Sequence, residues 1–324
     1  MLLYVLFVLG FILLIKGADI LVSGAIALAR HFQIPEIVVG LTIVSFGTSL
    51  PEMVVNILAS IQGKSELAIG NVFGSNVANL LLILGITALI CPLPIRRNTV
   101  LTELPFSLIA TLLVGFLANA ALFDEQNDQL YISRVDGLIL LFFLMLFLAY
   151  IYNIAHTHND TLVKEGENGQ PLMAKWKAIF FILLGAGGLF IGGKWVVDGA
   201  VGIAKNFGLS ESFIGLTIVA IGTSLPELVT SALAAFRKNI DIAVGNVVGS
   251  NIFNLLWILG ISALINPLPF NVVTNADIVM MIFASTLLVI TMPLGRHKNS
   301  IGRLSGTIFL LVYITYLAFL VQRG

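Results

Sequence analysis

Charge is what this sequence has least of. Lys, Arg, Asp and Glu make up 10% of its 324 residues, and the formal net charge is zero. A soluble domain carries about 25% charged residues. Too little polar surface is left to face water, so a soluble globular protein is excluded. No basic patch offers itself to nucleic acid. Cysteine is limited to Cys91, which rules out an intramolecular disulfide and a cysteine-based metal site. The histidines, His31, His156, His158 and His297, fall at the ends of apolar runs or in connections. The apolar runs hold no Ser/His, Cys/His or metal–His set, so neither an intramembrane enzyme nor a bound cofactor is expected. No positive charge precedes the apolar residues 1–15. A secretory signal needs a basic start, so this segment is expected to be the first membrane helix.

What the sequence has is hydrophobic length. Apolar residues reach 58%, with a mean hydropathy of +1.02. Runs at 104–122, 138–150, 278–292 and 307–320 approach the roughly 20 residues a helix needs to cross a bilayer. The pattern predicts an all-α integral membrane protein with ten helices, near residues 2–29, 37–60, 67–91, 103–121, 136–153, 177–204, 212–236, 242–266, 276–293 and 304–321. The first and sixth are long, hence expected to tilt. A polar stretch at 153–176 divides the chain into a unit at 1–152 and a unit at 177–324. Eleven Lys and Arg fall in the connections after odd-numbered helices, and four on the opposite side. The positive-inside rule then places the central loop in the cytoplasm and both termini outside.

The two halves repeat each other. Residues 36–94 align with 211–269 without a gap, at an offset of 175, with 35 identities in 59 positions. Hydrophobicity alone cannot bring Gly, Asn, Ser and Pro into register, so the unit is duplicated. Five helices per unit is an odd number, so the second unit enters the membrane the other way up. Inverted repeats mark secondary transporters, whose site lies between the repeats near the midplane.

The repeated motifs carry the chemistry. GTSLPE occupies residues 47–52 and again 222–227. Proline lacks an N–H and clashes with the preceding turn, so Pro51 and Pro226 should break their helices. The break is expected to free carbonyls such as those of Ser45 and Thr48, which in hydrocarbon need protein, water or an ion. Thr48, Ser49 and Glu52 add side-chain oxygens. The second copy offers Ala220, Thr223, Ser224 and Glu227. The second motif, GNxxGSNxxN, begins at Gly70 and at Gly245. Ser75 and Asn79 stand at i and i+4 on one helix face, as do Ser250 and Asn254. Gly70 and Gly74 form a small-xxx-small pattern that lets helices approach. Oxygen-only donors suit Ca²⁺ or Na⁺ and argue against Zn²⁺ and copper. Any one hydroxyl or amide reads equally well as helix glue. Two intramembrane acids do not, because such a carboxylate is by default functional.

Other charges have simpler readings. Lys16 with Asp19 and Lys194 with Asp198 sit at i,i+3 and i,i+4, so mutual neutralisation is expected, with gating the alternative. Asp124, Glu125 and Asp128 belong to a loop expected to be merely solvated, an external cation funnel being the alternative.

At these residues the chain resembles the Ca²⁺/cation antiporter (CaCA) superfamily, most closely prokaryotic sodium/calcium exchangers of the YrbG type. The resemblance extends over essentially the whole chain. It implies electrogenic exchange of Na⁺ for Ca²⁺ in a prokaryotic inner membrane, by alternating access, with membrane lipid as surroundings and no required protein partner. It implies a ligand set of Glu52, Thr48, Ser49, the Ser45 carbonyl, Ser75 and Asn79, with Glu227, Thr223, Ser224, the Ala220 carbonyl, Ser250 and Asn254. It also implies that helices 1 and 6 move against the rest. Some members, K⁺-dependent ones included, have Asp where this chain has Asn254, which argues against K⁺ cotransport here. H⁺/Ca²⁺ exchange through the same two acids, and a passive cation channel, are the alternatives.

Overall fold

The computed structural model describes residues 2–95, 99–123, 129–157, 173–206, 220–291 and 300–323. Helices α1 (Leu2–Phe32), a bent pair α2 (Glu36–Thr48) and α3 (Leu50–Ile61), α4 (Ser65–Ile90), α5 (Thr99–Ala118) and α6 (Arg134–Thr157) come first. Then follow α7 (Lys175–Asn206), short α8 (Ala220–Thr223), α9 (Leu225–Phe236), α10 (Ile240–Ile265), α11 (Val272–Thr291) and α12 (Arg303–Arg323). Among the described residues eight helices are long and apolar enough to span a membrane, and α2 with α3 forms one further bent span. The expected seventh span, 212–236, is described only from residue 220. Helices dominate because hydrocarbon offers no partner to a free backbone N–H or C=O.

Burial separates the centre from the lipid-facing ring. Of their most apolar windows, 72% is buried in α4 and 78% in α10. In α6 it is 22%, and Leu138, Phe142 and Met145 form an exposed stripe there. The two GNxxGSNxxN helices are therefore the core.

Helices α1 and α7 run antiparallel in close contact. A Cβ on Gly17 would meet the Gly185 carbonyl at 2.9 Å, and one on Gly185 would meet the Leu21 nitrogen at 2.6 Å. Gly10 and Gly192 approach equally closely, with 2.9 and 2.8 Å to each other's carbonyl oxygens. Any side chain there would force the helices apart. At 31 and 32 residues the helices are about 46–48 Å long. That exceeds a hydrocarbon core of about 30 Å, which tilt accommodates.

Two two-residue ribbons that hydropathy did not suggest tie distant parts. β1 (Leu93–Pro94) pairs antiparallel with β4 (Ser300–Ile301), and β2 (Tyr131–Ile132) with β3 (Leu268–Pro269). Leu93, Ile132, Leu268 and Ile301 are fully buried in these joints. At the end of α12, Arg323 donates to both Asp277 oxygens at 3.0 Å, and the Tyr316 hydroxyl adds a third bond at 2.9 Å.

The expected pairings of Lys16 with Asp19 and of Lys194 with Asp198 do not form. Asp19 is ion-paired with Arg237, just beyond α9, while Lys16, Lys194 and Asp198 are exposed. An arginine far along the chain reaches Asp19 where the lysine one turn away turns outward. The loop acids Asp124, Glu125 and Asp128 lie outside the described residues.

Candidate ion-binding site

Both GTSLPE segments interrupt their helices, as proline requires. Ser49 (φ −82°, ψ 7°) and Ser224 (φ −86°, ψ 6°) leave helical geometry at the break. Pro51 and Pro226 then fall in the first turn of α3 and α9, where a missing N–H costs little. The α2–α3 bend is 49°. Glu52 and Glu227 ride in those first turns, where the positive end of the helix dipole favours an anion.

The two carboxylates meet in the core. Each is 1% exposed. Glu227 Oε1 accepts the Ser49 hydroxyl at 2.9 Å and the Ser250 hydroxyl at 3.4 Å. Both oxygens of Glu52, and Oε2 of Glu227, are buried without a hydrogen-bond partner. The same holds for Ser75 Oγ, Ser224 Oγ, Asn79 Oδ1 and Asn254 Oδ1. Unpartnered buried oxygens are costly. Such a group of acceptors, two of the side chains anionic, fits a hard cation. Among the described residues no group of three or more His, Cys, Asp or Glu is placed to hold a metal.

Hydrogen bonds bring part of the sequence-derived set together, with Ser49, Ser250 and, beside Ser250, Thr48 gathered at Glu227. Thr48 and Thr223 belong to it through hydrogen bonds to the opposite repeat: Thr48 Oγ1 donates to Asn246 Oδ1 at 3.0 Å, and Thr223 Oγ1 to Asn71 Oδ1 at 3.2 Å. Ser250 lies 3.5 Å from the Thr48 hydroxyl. Asn79 and Asn254 lie in wider, π-helical turns, Ala78–Ile83 and Phe253–Ile258. Such turns recur at functional sites.

One expectation needs correcting. The Ser45 carbonyl is not freed by the break. It accepts the Ser49 N–H at 3.0 Å, and the Thr48 hydroxyl lies 3.2 Å from it as an alternative to Asn246, because proline at 51 removes the donor for residue 47, four back, not for residue 45. The close helix approach expected at Gly70 and Gly74 is found at their equivalents, Gly245 and Gly249. A Cβ on Gly249 would lie 2.6 Å from both the Leu41 carbonyl and Ser45 Oγ, whereas Gly70 and Gly74 meet nothing within 4 Å among the described residues. The segment that the repeat would set against them, 212–219, is outside the described residues. Ala220 is described as the first residue of α8, without its side chain.

The residues that sequence reasoning passed over are the other asparagines. Asn71, Asn76, Asn246 and Asn251 are buried beside the site. Their signal was present, since all four recur in register.

The chain is similar to known proteins over nearly its whole length. The sequence profile described as "Sodium/calcium exchanger protein" matches residues 2–153 and 177–322. The putative antiporter CaxA of Alkalimonas amylolytica is 38% identical over 312 residues, covering 95% of either chain. The inner membrane protein YrbG of Escherichia coli (strain K12) is 36% identical, over 97% of this chain and 95% of that one. A solved structure of the sodium-calcium exchanger NCX_Mj, soaked with Na⁺ and Sr²⁺, superposes with a TM-score of 0.79 at 33% identity over 98% of both chains. With a matching profile across both halves and relatives aligned nearly end to end, the chain belongs to the sodium/calcium exchanger protein family, a family of membrane cation antiporters.

Proposed function

We propose that this protein exchanges Na⁺ for Ca²⁺ electrogenically across a prokaryotic inner membrane, by alternating access at the site between the GTSLPE and GNxxGSNxxN segments. The observation that carries the reading is the convergence of Glu52 and Glu227, buried, with three of their four oxygens unpartnered. Two carboxylates give a charge near −2, which one Ca²⁺ neutralises. Several Na⁺ do so through different subsets of the same oxygens, and mutual exclusion at a shared site yields exchange. The ligands we assign are Thr48, Ser49, Glu52, Ser75 and Asn79 with Thr223, Ser224, Glu227, Ser250 and Asn254, and the backbone carbonyls of Ser45 and Ala220. The Ser45 carbonyl would use the accepting capacity left beside the Ser49 N–H.

The chain would comprise ten helices in two inverted five-helix units, 1–152 and 177–324, joined by a cytoplasmic loop, with both termini outside. Matching elements at the offset of 175 support this: α3 with α9, α4 with α10, and β1 with β3. The α1–α7 pair is suited to be the moving part. Its Leu21 and Ala186 lie 3.3 and 3.5 Å from a Cβ built on Gly47, and a Cβ on its Gly193 would lie 3.5 Å from Pro226. The pair therefore rests on both helix breaks, and sliding it would expose one or the other.

Na⁺-driven uptake of radiolabelled Ca²⁺ into proteoliposomes tests this. Uptake driven by a pH gradient without Na⁺ would favour H⁺/Ca²⁺ exchange. Movement of Ca²⁺ only down its own gradient would favour a channel.

A further inference from the structure

Four of the assigned ligands, Asn79, Asn254, Thr48 and Thr223, have an acceptor for their protons on the opposite repeat. A carboxamide is ambiguous toward a cation: turned one way it offers an oxygen, turned the other an N–H₂ that repels. Asn254 donates its Nδ2 to Asn76 Oδ1 at 3.0 Å, and Asn79 donates its Nδ2 to Asn251 Oδ1 at 2.9 Å. Those bonds leave Asn254 Oδ1 and Asn79 Oδ1 as the buried, unpartnered atoms. Asn76 is itself fixed, since its Nδ2 donates to the Asn251 carbonyl at 3.2 Å. Its Oδ1 must therefore be the atom that meets residue 254.

The same arrangement governs the threonines. The Thr48 hydroxyl has two acceptors in reach, Asn246 Oδ1 at 3.0 Å and the Ser45 carbonyl at 3.2 Å, of which Asn246 is the nearer; Asn246 is anchored by donating to Ser231 Oγ at 2.9 Å and to the Glu227 carbonyl at 3.3 Å. Thr223 gives its proton to Asn71, which donates to Asn56 Oδ1 at 2.6 Å, and Asn56 in turn to the Ala68 carbonyl at 2.9 Å. A hydroxyl whose proton is committed elsewhere turns its lone pairs to the cation.

We propose that Asn71, Asn76, Asn246 and Asn251 are positioning residues that orient the cation-facing oxygens of Thr223, Asn254, Thr48 and Asn79. Each repeat thereby holds the ligands of the other. This rests on the exchange reading given above. It also explains why residue 254 suits an amide: a carboxylate there would set an oxygen against Asn76 Oδ1 with no proton between them.

A double-mutant cycle tests the role. Ca²⁺ concentration dependence of Na⁺-driven uptake is measured in proteoliposomes for the unmodified protein, Asn76→Ala, Asn254→Asp and the double variant. Asn76→Ala frees the Asn254 amide to turn and should raise half-saturating Ca²⁺ about tenfold or more, as loss of an outer-shell partner does, with maximal rate changed less. In the Asn254→Asp background there is no N–H₂ to misdirect, so adding Asn76→Ala should cost nothing further. An equal loss in both backgrounds would assign Asn76 a packing role only and overturn the proposal. If Asn76→Ala does not fold, the equivalent cycle of Asn251→Ala with Asn79→Asp decides by the same criterion. Absence of Na⁺-driven uptake in the unmodified protein would instead defeat the exchange reading, so the two failures are distinguishable.

Discussion

Glu52 and Glu227 are the residues on which the account turns. With one carboxylate gone, a divalent ion in the buried site keeps an uncompensated charge. That costs about 3–5 kcal/mol, more than a hundredfold in affinity. Glu52→Gln and Glu227→Gln should therefore each reduce Ca²⁺ exchange to background while the protein still inserts and elutes as a single species. Normal exchange by either variant would remove it from the site. Asn254 supplies a second expectation. Without a third carboxylate the site has no charge to balance a further cation, so transport should proceed without K⁺. Ca²⁺ flux with and without K⁺, at a fixed Na⁺ gradient and clamped voltage, checks this, and strict K⁺ dependence would contradict it. The acids were legible in the sequence because a carboxylate amid apolar residues stands out at once. Asp19 misled the same reasoning: its partner Arg237 lies more than two hundred residues away, and spacing along a helix cannot reveal a cation brought in by the fold.

At the scale of elements, the helix breaks followed from proline and glycine alone. The π-helical turns that carry Asn79 and Asn254 did not, because α4 and α10 are buried on most sides and carry no one-sided apolar stripe whose phase an extra residue would shift. The two-residue ribbons were hidden for a related reason: strands so short have no periodicity to detect. The α1–α7 contact makes a sharp prediction about neighbouring glycines on one helix. Gly185 has Leu21 backbone within 2.6 Å of a built Cβ, whereas Gly187 meets nothing within 4 Å. Gly185→Val should therefore destabilise by about 1–3 kcal/mol, as overpacking does. Gly187→Val should stay within about 0.5 kcal/mol, as for an exposed substitution. Thermal unfolding of the purified variants in detergent measures both. Equal melting temperatures would mean the helices are not held at this distance.

At the scale of the whole molecule, the membrane class and nearly all the spans were legible because a bilayer leaves helices as the only way to bury so apolar a chain. Orientation is an expectation from charge, with eleven Lys and Arg in the connections after odd-numbered helices against four in the others. A cysteine placed at Lys164 in a Cys91→Ala background should resist an impermeant thiol reagent in intact cells and react after the membrane is opened. Labelling in intact cells would invert the topology. The central claim is that Na⁺ and Ca²⁺ compete for one site with two carboxylates, and coupled flux addresses it most directly. Proteoliposomes loaded with Na⁺ are diluted into Na⁺-free medium holding radiolabelled Ca²⁺ at a concentration no higher than inside, with voltage clamped. The account predicts that the unmodified protein accumulates Ca²⁺ above equilibrium, that dissipating the Na⁺ gradient abolishes accumulation, and that Glu52→Gln shows none. Equilibration without accumulation, or accumulation indifferent to Na⁺, would contradict it.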